Sequence, residues 1–100
     1  MSVYVDDMAR RMGRMLMYHM VADTSAELLA MAKKLGVSHK WIQHAGTHKE
    51  HFDICLAKRR LAVERGAIEI TWRQCGDIIR ERRLKLEEAR ELLEVVECRS

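Results

Sequence analysis

Val3-Tyr4-Val5-Asp6 reads as a short strand ending on the paired carboxylates Asp6 and Asp7. Met15 to Val21, MLMYHMV, is an apolar run of strand length, as expected where both faces are covered, and only His19 interrupts it. By two-residue alternation His19 shares a face with Met15, Met17 and Val21, while Tyr18 points the other way. A helix follows, because Thr24 and Glu27 form a capping box, Leu28, Met31, Ala32 and Leu35 make one apolar stripe, and Gly36 supplies the stop. Residues 37–50 are the least regular, with Trp41-Ile42 as a short strand and a polar loop from His44 to Glu50. Asp53 stands where the N-cap of a second helix belongs, and Gly66 ends that helix. Ile68 and Ile70 then share a strand face opposite Glu69.

Thr71 and Gln74 form a second capping box, which opens the longest helix. From Trp72, the positions Cys75, Ile79, Arg82, Leu86, Ala89, Leu93 and Val96 recur at spacings of three and four, a heptad seam interrupted only by Arg82. Helical to Glu97, this segment spans roughly 39 Å by rise per residue, against a radius of gyration of about 13 Å for a compact chain of this size. These elements predict an α/β fold: a small mixed sheet of three to four strands with about three helices, the last long and C-terminal. Residues 1–84 form the single domain, and 85–100 extend the last helix toward a partner, with a homodimer expected there.

One hundred residues suffice for one core. Three cysteines without CxxC spacing imply no disulfide framework and a reducing compartment. No window approaches eighteen uninterrupted apolar residues, and the N-terminus lacks the order of a signal peptide, so a cytoplasmic protein without a membrane partner is expected. The net charge of +3 is uneven: residues 87–100 carry −3 and residues 1–86 carry +6, a basic body that favours anionic partners.

The candidate chemistry is polar and scattered. Arg10, Arg11 and Arg14 flank Gly13 in a basic connection suited to phosphate, though it matches no named phosphate loop. Asp6 and Asp7 end a strand, well placed to enter a site at the sheet's edge, though at least one of them is expected to be solvated or to cap the turn. Asp23 is left free because Thr24 supplies the helix cap. His44, His48 and His51 are spaced x3 then x2, without the paired local motif of a zinc site, and a fortuitous His-rich loop is the plainer reading. Lys58 falls between Ile54, Leu61 and Ala62 on the helical wheel, so it either snorkels to water or, with Arg59, meets an anion in a cleft. Trp41 is either core or a stacking platform for a base, and His19 is either a satisfied core histidine or part of a site.

VYVDD at 3–7, GR at 13–14, HMVAD at 19–23, WIQ at 41–43, HFD at 51–53, KR at 58–59 and GAIEIT at 66–71, taken in that order, resemble the family known as domain of unknown function 4031. The resemblance covers about residues 2–75. It implies a bacterial or phage origin and supplies no activity; Phe52 stands where that family is expected to carry tyrosine. The polar residues it picks out are Asp6, Asp7, Arg14, His19, Asp23, His51, Asp53, Lys58 and Arg59.

Three functions fit this set. The favoured one is binding of an anionic ligand, a nucleotide or nucleic acid, through the His/Asp/Lys/Arg cluster. If His19, Asp23, His51 and Asp53 converge, a divalent metal activating water makes the protein a phosphoester- or nucleotide-processing enzyme. A phage module that modulates a host protein through the long helix is the third. No catalytic residue and no cofactor is singled out by spacing alone.

Overall fold

The computed structural model describes residues 2–99; Met1 and Ser100, the ends of the expected domain spans, lie outside the described residues, as does the side chain of Cys98. Five strands and three α-helices follow in the order β1 (Val3–Val5), β2 (Arg10–Met12), β3 (Met15–Ala22), α1 (Ser25–Leu35), β4 (Phe52–Cys55), α2 (Leu56–Glu64), β5 (Ile68–Glu69) and α3 (Trp72–Arg99). This is the expected α/β fold with a long C-terminal helix, on a sheet of five strands rather than three to four.

β3 is the spine of the sheet. One of its edges pairs antiparallel with β2 through Met15–Met17 and with β1 through Met20–Ala22, and the other pairs antiparallel with β4 from Met17 opposite Cys55 to Met20 opposite Phe52. β5 adds to β1 in parallel. Between β1 and β2 the chain leaves the ladder over Asp6–Ala9, with Ala9 at φ 49°. Helices α1 and α2 pack on one sheet face, where Tyr18, Met20, Phe52 and Ile54 meet Leu28, Met31, Leu35 and Ala62. Phe52, Met20 and Leu28 are fully enclosed, so truncating Phe52 to alanine is expected to cost about 3–5 kcal/mol. Val21 and Cys75 are buried on the opposite face, where the first turns of α3 cross β3.

The helix ends follow their sequence signals. Thr24 Oγ1 accepts from Glu27 N, and Gly36 adopts φ 73° as its N–H closes α1. Thr71 and Gln74 cap each other reciprocally at the start of α3. Gly66, at φ 103°, follows the last turn of α2.

Three local expectations are corrected. Asp53 does not cap a helix: residues 52–55 pair with β3, with Phe52 and Ile54 buried and Asp53 and Cys55 on the other face, and α2 starts at Leu56 without a side-chain cap. Arg10-Arg11-Met12 is not a loose connection but a strand. A two-residue turn folds it onto β3, with Gly13 at φ 61° supplying the left-handed first position of a II′ turn. Its side chains are all exposed, so backbone pairing alone defines it. Trp41 belongs to a 3₁₀ turn, His39–Trp41, and is 64% exposed; the only pairing nearby is a single bridge between Gln43 and His51.

α3 runs unbroken through residue 84 and beyond the body of the domain, giving extents of 55 × 25 × 24 Å and a radius of gyration of 15.4 Å. No helix among the described residues is long and apolar enough to cross a membrane.

Candidate functional site

Pairing of β3 with β4 places His19 directly opposite Asp53. Residues facing each other across an antiparallel pair project to the same side, and so do residues two apart on a strand. His51, bridged to Gln43 just before β4, therefore falls on the same side as Asp53 and His19. The His51 Nε2 to Asp53 Oδ1 distance is 3.5 Å, and His19 Nε2 lies 3.8 Å from the same oxygen. One ligand atom from each of His19, His51 and Asp53 falls within 4.8 Å of the others. The two imidazole rings meet edge to face at 5.3 Å.

Each histidine is held through its other nitrogen. His19 Nδ1 is 2.7 Å from Asp6 Oδ2, and His51 Nδ1 is 2.7 Å from the carbonyl oxygen of Lys49. A carbonyl and a carboxylate only accept, so Nδ1 donates in both rings, and this hold turns Nε2 of each toward Asp53. Asp53 is itself fixed, because Gln43 Nε2 donates to its Oδ2.

Asp6 is 1% exposed and is the deepest charged group of the site. It stands where the chain is leaving the ladder, its N–H still donating to the His19 carbonyl at 3.0 Å, and its side-chain oxygens take up the donors beyond: Oδ1 accepts from the backbone N–H of His19 and of Met8, Oδ2 from the His19 ring. Burial pushes its carboxyl pKa up, but the hydrogen bonds from the His19 ring, the His19 backbone and Met8 outweigh this and leave it below the ordinary carboxylate value. The same hydrogen bond raises the pKa of His19 above the ordinary imidazole value, against the opposing effect of burial; the charges of Asp6 and Asp53 add to the rise and Arg10 subtracts from it. Carboxylates on both sides of the ring thus favour positive charge between them. A cleft of about 190 Å³ opens beside the rings, walled by Met8 and Val21 and by Trp72, Cys75, Gly76 and Ile79 of α3.

Of the residues singled out in the sequence, Asp6, His19, His51 and Asp53 come together. Asp7 sits beside this group but serves α3, accepting from Trp72 N at 2.7 Å. Arg59 also borders it: its Nε donates to the carbonyl of Asp6, its guanidinium pairs with Glu69 and lies over the Tyr18 ring. Asp23 is elsewhere, accepting from Ser2 N beyond the end of β3. Lys58 reaches neither cleft nor anion; its Nζ donates to the carbonyl of Leu35 at the end of α1. Arg14 is exposed at the hairpin tip, five residues from His19 and roughly 17 Å along the strand. In the histidine loop, His44 stacks on His51 at 6.0 Å, while His48 lines a separate groove along α3. Gln43 and the α3 residues of the cleft were not legible as site residues, since nothing in their local pattern reveals a neighbour across the sheet.

A protein-family model described as "Protein of unknown function (DUF4031)" matches residues 3–82. The chain belongs to DUF4031. The match spans every residue of the DUF4031 cluster, from Asp6 to Asp53, and the stretch of α3 that walls its cleft, and it stops where that helix leaves the domain. Neither a curated protein nor a solved structure matches the chain.

Proposed function

We propose that this DUF4031 protein binds a first-row divalent metal ion through His19 Nε2, His51 Nε2 and Asp53 Oδ1, and uses it to hydrolyse an anionic phosphoester substrate, a nucleotide or nucleic acid. The observation that carries this reading is the pair of histidines whose Nδ1 atoms are both committed to acceptors while both Nε2 atoms face one carboxylate oxygen. Imidazoles that bind metal are held in this way, by a carboxylate or carbonyl on the far nitrogen. The spacing suits a small ion: donors about 2.1 Å from a tetrahedral metal lie about 3.4 Å apart, against the observed 3.5 and 3.8 Å. Two imidazoles and one carboxylate suit zinc, iron or manganese and leave a coordination position for water, whose pKa a bound ion lowers toward neutrality.

Preference for an anionic substrate follows from the ion's charge, from Arg10, near enough to act on His19, and from the basic body of the domain. Lys58 takes no part in this reading. Titration calorimetry of chelator-stripped protein with Zn²⁺, Mn²⁺ and Co²⁺ tests the centre. One equivalent should bind, His19→Ala and Asp53→Ala should each abolish it, and His48→Ala should leave it intact; hydrolysis of bis(p-nitrophenyl) phosphate by the loaded protein then tests the chemistry. Absence of stoichiometric binding by any of the three ions overturns the proposal.

A further inference from the structure

One face of β3 runs from a covered end to a bare one, and His19 stands at the boundary. Val21 is fully buried under α3, His19 lines the cleft, Met17 is half-buried and Met15 is 52% exposed. Alternation puts all four on that face, and the pairing with β2 adds Arg10 beside Met17 and Met12 beside Met15. β4 reaches no farther than Met17, so the hairpin projects beyond it as a two-stranded ribbon. No acidic residue occurs between Asp7 and Asp23. Among the described residues, no carboxylate pairs with Arg10, Arg11 or Arg14.

We propose that this face of the hairpin binds a single-stranded nucleic acid and leads it to the metal centre, which makes the substrate a polynucleotide and not a mononucleotide. That the strand ends on an ion rests on the metal reading above; its hold on the hairpin does not. Arg10 lies roughly 7 Å along the strand from His19 and Arg14 roughly 17 Å, with the Met12–Met15 pair between them. Cation, thioether pair and cation thus alternate as phosphate and base do along a strand. A guanidinium takes phosphate oxygens on paired N–H groups, and an exposed thioether offers polarisable contact to the face of a base. An unpaired strand can turn its base faces to such a surface, whereas a duplex keeps them stacked inside. Across His19 from the hairpin, Trp72, half-exposed at the cleft, provides a stacking surface for the base beyond the ion. Arg11 and Leu16 fall on the other face of the ribbon, outside this path.

Fluorescence anisotropy of a labelled oligothymidylate, titrated with the full chain in chelator, tests the hairpin. Affinity should fall with salt, and Arg10→Ala and Arg14→Ala should each flatten the log–log slope by about 0.7, one phosphate contact on a single strand. Arg10→Lys, which retains the charge, should keep the parent slope, and so should Arg11→Ala. Thymidine monophosphate, too short to meet both arginines, should compete more weakly than the unlabelled oligonucleotide. No binding at low salt overturns the proposal, as does an Arg11→Ala effect equal to that of Arg10→Ala. A duplex or polyglutamate held as tightly as the single strand overturns it too, by showing a surface that selects charge alone. Because no ion is present, loss of oligonucleotide binding sinks the hairpin reading alone, and a failed zinc titration sinks the metal centre alone.

Discussion

The Asp6 carboxylate takes His19 at two points, its backbone N–H on Oδ1 at 2.8 Å and its ring Nδ1 on Oδ2 at 2.7 Å, while the Asp6 N–H donates to the His19 carbonyl at 3.0 Å, so the carboxylate fixes both where the strand runs and how the imidazole is turned. Removing one oxygen separates these roles. Asp6→Asn keeps an acceptor for the backbone while weakening the hold on the ring, and loss of such an orienting partner lowers metal affinity by roughly 10–100-fold. Calorimetry of the variant checks this; unchanged affinity shows that Asp6 does not position the ligand.

The same pair makes the metal-free protein's stability depend on pH. Asp6 has a pKa below the ordinary 3.8, so its contribution is present above that value and is lost as pH falls through the lowered folded value. His19 has a pKa above the ordinary 6.5, so its contribution is full below that value and is lost as pH rises through the raised folded value. Together they contribute most between about pH 4 and 6.5. Urea melts in chelator across that range should show a maximum that Asp6→Asn flattens.

Lys58 is expected to matter for stability and not for the site. Its ammonium lies 2.6 Å from the Leu35 carbonyl, where α1 leaves its last acceptors exposed and its dipole negative. Lys58→Met keeps the stem and loses the charged hydrogen bond, at a cost of about 1–2 kcal/mol. Denaturant melts measure that loss, and calorimetry should find metal binding unchanged.

Cys75 should be inert. Burial, with the negative charge of Asp6 adding to it, pushes its thiol up to about 11. A thiolate is the reactive form, so at pH 8 roughly one molecule in a thousand is attackable. In a Cys55→Ser, Cys98→Ser protein, a disulfide reagent should label Cys75 only as fast as the domain opens, and rapid labelling of the native protein would contradict this burial.

What could be read in the sequence was whatever a short stretch decides by itself. Thr24 with Glu27 and Thr71 with Gln74 announced two helix starts, and alternation along MLMYHMV put His19 on the face opposite Tyr18. Asp53 was misplaced because an aspartate before a basic helix looks like a cap, although the alternation of Phe52 and Ile54 with Asp53 and Cys55 already carried the strand period. The site itself lies in the register of β3 against β4, a pairing that no window of sequence contains. Lys58 stood out correctly as a charge among apolar neighbours, but its partner is a backbone oxygen 23 residues away, contributed by the end of another helix.

The strand order also governs when the centre can exist. His19 and His51 belong to segments separated by α1 and the irregular loop after it, so an ion bound as proposed would not template the first half of the molecule as it leaves the ribosome. Such an ion would act as a clasp, fastened last, once the returning strand has found its place.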